Sequence, residues 1–210
     1  YYIDNDNYLN IDYDLLYKKI KETNYEYIEL RDILELNDYY KTDTHWKQEN
    51  LNKVVREMSH FMNFKYTETK YLKNTYDKFY GVYYGESAIN RNPEVITYLT
   101  NDTLNKVEVK YLENNKLNNI YNIDKLTSFD SYEVYLDGAS SYIEITNPNS
   151  KTNKELIIFR DSFGSSLSPL LIDYYDKITI LDNRYIHSSY IKEKIDFTNQ
   201  DILFIYSTLL

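Results

Sequence analysis

Residues 155–165 read ELIIFRDSFGS, and they contain the clearest structural signal in the chain. The short apolar run that begins at Leu156 predicts a buried strand over Glu155–Phe159. A helix is expected over Ser165–Tyr175, so Ser162 falls in the turn between strand and helix. A serine there presents its hydroxyl at the edge of a sheet, and backbone N–H groups at the helix start could stabilise an oxyanion.

The residues after this stretch continue to alternate between strands and helices. We predict strands over Lys177–Leu181 and Ile202–Tyr206 and a helix over Ser188–Ile195. Continuous apolar strands separated by helices are typical of parallel α/β layers. Ligands of such sheets bind beyond the carboxyl ends of the strands, which is where Ser162 is expected.

The N-terminal and central parts of the chain contain weaker signals. Apolar residues at spacings of three and four predict an amphipathic helix from Lys47 to Asn63. A helix is also expected over Leu15–Lys21. Short β-rich runs predict strands over Tyr25–Leu30, Val95–Leu99, Val107–Leu112, Tyr132–Leu136 and Tyr142–Ile145. We find no repeat or linker and therefore expect one domain over residues 1–210.

Composition excludes several classes of function. The net charge of −9 argues against a nucleic-acid partner, because such partners require clustered Lys and Arg. No cysteine is present, so disulfides and thiol catalysis are excluded. The acidic run Asp4–Asn7 lacks the glycine and glutamate of a calcium loop, and we interpret it as a solvated turn. The 26 tyrosines indicate either an A/T-rich genome or an aromatic surface suited to carbohydrate.

The sequence around Ser162 is compatible with two roles for this residue, a nucleophile or a helix cap. Asp161 could also cap that helix. A nucleophilic serine needs a base, and the chain contains three histidines. His60 and His187 are expected at the surface or at a helix start. His45 follows Asp43 by two positions, and in an extended segment Asp43 could orient its imidazole. By itself this pair is weak evidence for catalysis, and a chance occurrence or a helix-entry structure is the preferred interpretation.

Longer motifs bring in a family resemblance. YYKTDTHW at residues 39–46, the helix behind it and FRDSFGSSLSPLL at residues 159–171 resemble the DHHW family. They also resemble the alginate-acetylation proteins, which have SGNH-hydrolase-like catalytic domains. Three further blocks are similar in family order, FYGVYYGESA from Phe79, SYEVYLDG from Ser131 and ILDNRYI from Ile180. The chain departs from the DHHW pattern at Thr44, as the alginate branch does.

The resemblance implies an SGNH-hydrolase-like layered fold with a mainly parallel central sheet and helices on both faces. It implies a catalytic triad of Ser162, His45 and Asp43, with no cofactor and no metal. Arg184 and Gly138 are weaker candidates for site support, with an ion-pair residue and a turn glycine as their alternatives. A second oxyanion donor of the Asn type is missing after Gly138, where the sequence runs Ala139-Ser140-Ser141.

The implied activity is O-acetyl transfer to an extracellular polysaccharide, with a membrane-bound O-acyltransferase as a possible source of acetyl groups. An acetylesterase and a non-catalytic polysaccharide-binding protein are the alternatives. The resemblance also implies an extracellular or cell-surface location. The sequence begins at Tyr1 without a methionine, and we expect that an N-terminal leader or membrane anchor precedes it. A polymer requires an open cleft, and we expect its walls among Tyr39, Tyr40, Trp46 and Phe163. For Trp46 a core position is the alternative.

Overall fold

The computed structural model describes residues 12–87, 92–112 and 117–208. Its α-helices are α1 (Tyr13–Lys21), α2 (Asn52–Phe61), α3 (Val82–Ser87), α4 (Phe163–Leu167) and α5 (Ser188–Lys194). Its strands are β1 (Leu72–Phe79), β2 (Glu94–Thr100), β3 (Glu108–Tyr111), β4 (Leu117–Asn118), β5 (Tyr142–Thr146), β6 (Glu155–Arg160), β7 (Lys177–Leu181) and β8 (Asp201–Ile205). The acidic run Asp4–Asn7 lies outside the described residues.

Six strands form the main sheet, in the order β4-β3-β5-β7-β6-β8, and β1 and β2 form a separate antiparallel pair. β6 pairs in parallel with both β7 and β8, as the alternating pattern predicts. The pairings of β3 with β4, of β3 with β5 and of β5 with β7 are antiparallel. The sheet is therefore mixed, and the prediction of a mainly parallel sheet is wrong.

Connection length explains the mixture. The links from β6 to β7 and from β7 to β8 contain helices, and such crossovers permit parallel pairing. The short links from Tyr111 to Leu117 and from Thr146 to Glu155 are not long enough for a crossover, so the chain reverses direction.

Both faces of the sheet are covered. Leu156 and Ile158 point into the main core, which also contains Val54, Val55 and Met58 of α2. Ile157 and Phe159 point to the other face and pack with Ile191 of α5. This alternation along β6 explains why its sequence is continuously apolar, and the expected helices on both faces are present.

Two predicted strands are absent. Residues 25–30 form no strand, although Ile28 and Leu30 pack against the core. The predicted strand Tyr132–Leu136 is instead a 3₁₀ helix over Ser131–Val134, capped by Asp130, whose carboxylate accepts a hydrogen bond from the Tyr132 N–H. Leu136 has a φ of 55°, which is incompatible with an extended strand.

The other helix predictions differ mainly at their ends. α2 begins after a 3₁₀ turn at Gln48–Asn50. The helix expected over Ser165–Tyr175 consists of α4 followed by a 3₁₀ helix over Ser168–Tyr174 that contains Pro169. Over the three described ranges, no helix has the length and apolar character that a membrane span requires.

Candidate active site

Ser162 lies between the carboxyl end of β6 and the first turn of α4. Its side chain makes no capping hydrogen bond. Asp161 makes that bond instead, since its Oδ1 accepts from the Phe163 N–H at 2.9 Å. Its Oδ2 accepts from the Ser207 N–H at 2.6 Å, which anchors the turn to the segment after β8. The Ser162 hydroxyl is therefore not used as a cap.

The Ser162 hydroxyl is hydrogen-bonded to His45, with 2.7 Å between Oγ and Nε2. The other ring nitrogen, Nδ1, lies 2.5 Å from Oδ1 of Asp43. The Asp43 carboxylate can only accept, so Nδ1 carries the proton and Nε2 is free to accept the serine proton. The serine, histidine and aspartate predicted from the sequence thus form one hydrogen-bonded chain in the order that base catalysis requires.

The segment that carries His45 is a tight loop rather than the extended segment expected. Tyr39 and Trp46 form an antiparallel bridge, and the Tyr40 N–H donates to the His45 carbonyl at 3.0 Å. Asp43 reaches His45 because its Oδ1 also accepts from the His45 backbone N–H at 2.9 Å. The Asp43 side chain therefore reaches the His45 ring across a turn, which the same side chain stabilises, and not along an extended strand.

Asp43 remains a carboxylate in a buried position. Burial alone would raise its pKa, but the hydrogen bonds from the His45 ring and backbone lower it. A further bond from the Val82 N–H to Oδ2, at 3.0 Å, acts in the same direction. The net pKa lies below the ordinary value of 3.8, so the carboxylate can stabilise an imidazolium formed during proton transfer.

Two segments distant in sequence hold this loop in place. Glu94 accepts hydrogen bonds from the backbone N–H groups of Lys41 and Thr42, at 3.0 and 2.7 Å. Gly81 packs directly on the loop, and an added Cβ would lie 2.2 Å from the Thr42 carbonyl oxygen. The glycine is required there because the two backbones approach too closely for any side chain.

A cavity of about 250 Å³ opens beside the catalytic atoms. Its lining consists of His45, Asp130, Tyr132, Glu133, Gly138, Ala139, Arg160, Ser162, Ser165, Arg184 and Tyr185. Another hollow, of about 420 Å³, includes Asp102 and Asp173 in its lining and none of the predicted site residues. We place the site at the smaller cavity because it contains Ser162 and His45.

The expected aromatic walls are not part of this cavity. Tyr40 and Trp46 are core residues, only 4 % and 3 % exposed, and Tyr39 packs against the same core. The Trp46 indole N–H donates inward, to the Phe163 carbonyl and to Ser166 Oγ. Phe163 contacts the imidazole of His45 but does not line the cavity. For Tyr40 and Trp46 the prediction is wrong, and Trp46 takes the core position that was its alternative. Tyr39 and Phe163 are half-buried and lie outside the lining of this cavity.

Tyr185 is the aromatic residue with an exposed ring at this cavity. It is 56 % exposed, and it follows the β7 strand end in sequence. The guanidinium of Arg184 lies 5.4 Å from the centre of its ring. The signal that could have found it is its position after a second parallel strand of the sheet.

Arg184 and Gly138 both line the cavity, and both have structural partners. The Arg184 guanidinium forms two hydrogen bonds with buried Asp182, at 2.9 and 2.7 Å. Gly138 has a φ of 77°, which favours glycine, and its N–H donates to the Tyr135 carbonyl at 3.2 Å. The ion-pair and turn-glycine alternatives are therefore both observed, together with proximity to Ser162.

Arg160 was not predicted as a site residue. It is 1 % exposed at the end of β6 and lines the cavity. Its guanidinium donates to Ser165 Oγ at 2.8 Å and to the Gly138 carbonyl at 3.2 Å. Burial lowers its pKa and nearby Asp182 opposes that shift. A charged residue at the end of an otherwise apolar strand was the available signal.

The remaining histidines take the positions expected from the sequence. His60 is exposed on α2. His187 is exposed before α5, and its ring accepts a hydrogen bond from the Ser189 N–H.

Fold and site together define a class of protein, in which a serine at the end of a parallel strand meets a histidine–aspartate pair from earlier in the chain. No protein-family model matches the sequence, and no curated protein matches it. Solved structures do match. A DHHW family protein from Eubacterium siraeum aligns with a TM-score of 0.62 and 21 % identity over 80 % of this chain.

PatB1 of Bacillus cereus is similar too. Its structure with a sulfonyl adduct aligns at a TM-score of 0.61 with 23 % identity, and a second PatB1 structure aligns at 0.59 with 21 %. Each alignment covers 91 % of this chain. The chain spans 59 % of the DHHW protein and 65 % and 67 % of the two PatB1 chains. At these identities the likeness shows the fold, so the resemblance to DHHW proteins is confirmed at that level.

Proposed function

We propose that this protein is an O-acetyltransferase that modifies an extracellular polysaccharide through an acetyl-serine intermediate. The observation that carries the proposal is the hydrogen-bonded chain from Ser162 Oγ through the His45 ring to Asp43. A serine hydroxyl is a weak nucleophile until a base is positioned to take its proton. Here the base is within hydrogen-bond distance, and its tautomer is set by a buried carboxylate.

The chemistry has two half-reactions. Ser162 Oγ loses its proton to His45 Nε2 and attacks the acetyl carbonyl carbon of a donor ester. The leaving oxygen takes that proton, which releases the alcohol and leaves acetyl-Ser162. A sugar hydroxyl then gives its proton to His45 and attacks the acetyl group, which restores the serine and yields the acetylated sugar.

Charge develops on the carbonyl oxygen in both half-reactions. Arg160 and Arg184 line the cavity together with Asp130 and Glu133, and the Arg184 guanidinium is paired with Asp182. We propose that Arg160 supplies the positive charge that stabilises the oxyanion, because such charge is effective in a partly desolvated site. The Gly138 N–H already donates to the Tyr135 carbonyl, so it is not free to donate to the oxyanion. Positive charge in the cavity wall supports turnover in its place.

The fold relatives add support. One PatB1 structure contains a sulfonyl adduct, and sulfonyl reagents react with activated hydroxyl nucleophiles. Extending the comparison to this chain, we propose that Ser162 is the group that would be labelled. The extracellular location and a membrane-bound O-acyltransferase as acetyl source belong to the same proposal.

Acetylester hydrolysis is the second candidate, and the size of the cavity favours it. Pockets for drug-sized ligands commonly measure about 300–1,000 Å³, whereas this cavity measures about 250 Å³. It can hold an acetyl group and part of a sugar ring but cannot bury a polymer. A polymeric acceptor would therefore lie across the mouth, beside the exposed ring of Tyr185.

The test compares transfer with hydrolysis. The protein is incubated with 4-nitrophenyl acetate, with and without an oligosaccharide acceptor, and intact-mass spectrometry follows acetylation of the protein. Acetyl-protein and acetylated oligosaccharide, both absent with Ser162→Ala, are the expected products. Release of acetate alone would indicate an esterase. Absence of both acetyl-protein and labelling by a sulfonyl fluoride would overturn the enzymatic proposal in favour of a binding protein.

A further inference from the structure

The hydroxyl of Ser166 connects three segments at the site. Ser166 is fully buried in α4, one turn after Ser162. Its Oγ accepts a hydrogen bond from the Trp46 indole N–H at 2.9 Å and shares a second one with the Tyr132 hydroxyl at 2.7 Å. Trp46 adjoins His45, and Tyr132 belongs to the 3₁₀ helix over Ser131–Val134. One hydroxyl thus joins the loop of the base, the helix of the nucleophile and a third segment.

The ring of Tyr132 lies flat on the imidazole of His45. The two ring centres are 3.8 Å apart and the planes differ by 10°. Tyr132 is 3 % exposed, and burial raises its pKa well above 10.0, so its hydroxyl remains protonated and available for hydrogen bonding. Because Ser166 holds the hydroxyl, the far end of the Tyr132 ring has a defined position beside His45.

Asp43 alone does not determine the orientation of the imidazole. Its hydrogen bond restrains the position of Nδ1, but the ring plane can still rock about that contact. A flat ring packed at 3.8 Å restricts that rocking. The direction of Nε2 towards Ser162 therefore depends on the Asp43 bond at the ring edge and on the rings packed against the imidazole, of which Tyr132, at 3.8 Å, is parallel to it and Phe163, at 5.0 Å, is tilted.

We propose that Ser166 and Tyr132 are positioning residues for acetyl transfer, which act by holding the imidazole plane of His45 so that Nε2 points at Ser162. Neither residue takes part in proton transfer. The kinetic test of this inference rests on the proposed function, because it requires the protein to turn over an acetyl ester. Misplacement of catalytic groups by about 1 Å can cost on the order of 100-fold in rate, so these buried contacts have measurable consequences.

The first test uses Ser166→Ala, Tyr132→Phe and the double variant. Ser168→Ala is the matched control, because Ser168 is also buried in this region but its hydroxyl donates to the Gly164 carbonyl within its own segment. We expect Ser166→Ala and Tyr132→Phe each to lower kcat on 4-nitrophenyl acetate by about 10- to 100-fold, with KM changed by less than about two-fold. Ser168→Ala should retain most of kcat.

The double variant shows whether the two residues act through one contact. Ser166 and Tyr132 share a single hydrogen bond, so the double variant should lose no more than the larger single loss. Multiplicative losses would overturn the inference. So would a loss in Ser166→Ala that equals the loss in Ser168→Ala at comparable melting temperature.

The ring contact has a test of its own. Tyr135 is a buried tyrosine in the same region, but its ring contacts Tyr121 and Tyr132. Tyr132→Leu should lower kcat far more than Tyr135→Leu does, after both rates are corrected for the folded fraction. Equal losses would show that Tyr132 only supports the fold.

A spectroscopic readout separates this inference from the proposed function. In ¹⁵N-labelled protein, the Nδ1 proton of His45 should give a resolved signal, assigned with His45→Ala. The signal should broaden in Ser166→Ala and persist in Ser168→Ala. If the wild-type protein lacks turnover, the proposed function fails while this signal still decides the positioning role. A signal unchanged in Ser166→Ala would overturn it.

Discussion

His45 Nε2 and Ser162 Oγ are 2.7 Å apart, although 117 positions separate the two residues in the sequence. Two sets of contacts hold the distance. Asp161 ties the serine turn to the segment after β8, and Glu94 ties the histidine loop to β2. Tertiary contacts therefore position both the serine turn and the histidine loop. Substitutions at the contact residues should change the distance between Nε2 and Oγ.

Ser162→Ala should abolish turnover without unfolding the protein. Removal of a nucleophile lowers the rate by several orders of magnitude. Since the Ser162 side chain makes no capping bond, the free energy of unfolding should change by less than about 1 kcal/mol. Ester hydrolysis and urea denaturation measure the two quantities. Substantial residual turnover would exclude Ser162 as the nucleophile.

Asp43→Asn should lower kcat by about 10³- to 10⁴-fold while leaving Ser162 in place. The amide can donate to Nδ1, and it then favours the tautomer with the proton on Nε2, which cannot accept the serine proton. The measurement is kcat on an acetyl ester at neutral pH. A variant with nearly full kcat would show that Asp43 is only a structural residue of the loop.

The same substitution predicts a change in the pH dependence of stability. The pKa of Asp43 is lower in the folded protein than its ordinary value of 3.8, so its carboxylate stabilises the fold above that pH. The contribution is lost as the pH falls through the folded-state pKa. Wild type should therefore be more stable than Asp43→Asn at pH 7, and the difference should shrink towards pH 3. Urea denaturation at several pH values checks this, and a constant difference would contradict it.

Gly81→Ala should destabilise the protein and lower its activity together. The new Cβ would lie 2.2 Å from the Thr42 carbonyl oxygen and 2.4 Å from Asp43 Cβ, so the catalytic loop must move. Overpacking of this kind costs about 1–3 kcal/mol. Gly85→Ala is the control, because no atom lies within 4 Å of its added Cβ. Thermal melts and ester turnover should separate the two variants. Similar behaviour would show that the close approach is unimportant.

Tyr185→Ala should reduce transfer to an oligosaccharide more than it reduces hydrolysis. The exposed ring at the cavity mouth can cover the apolar face of a sugar, whereas water needs no such surface. We expect a higher KM for the acceptor and a lower ratio of acetylated sugar to free acetate, with Tyr185→Phe close to wild type.

The control for this effect is Tyr13→Ala, which changes an exposed tyrosine on α1. Product analysis by mass spectrometry gives the ratio of the two products. An unchanged ratio in Tyr185→Ala would place the acceptor elsewhere on the protein.

Local pattern was sufficient for the strands and the last helix of residues 155–206. The strands β6, β7 and β8 and helix α5 were predicted to within a few residues, because each apolar run is short and bounded by turn residues. Tyr132–Leu136 has the composition of a strand and yet forms a 3₁₀ helix. Its local pattern was overridden by the Asp130 cap and by the left-handed backbone at Leu136.

The members of the hydrogen-bonded chain could be predicted, but their surroundings could not. Asp43, His45 and Ser162 belong to the motifs that carry the resemblance to DHHW proteins. Closeness to those motifs in sequence predicts aromatic cavity walls, but Trp46 and Tyr40 are buried in the core. Sequence adjacency does not determine the direction of a side chain when the backbone turns, as it does between Tyr39 and Trp46.

By itself the sequence determined the parallel β6–β7–β8 unit and the serine at its end, and its resemblance to DHHW proteins indicated His45 and Asp43 as the partners of that serine. These follow from local patterns and motifs, which depend on residues close together in the chain. Only the tertiary structure decided the mixed direction of the sheet, the cavity with Arg160 and Tyr185, and the contact of Ser166 with Tyr132 and Trp46. Each of these depends on packing between segments far apart in the chain, and no local pattern encodes which segments will meet.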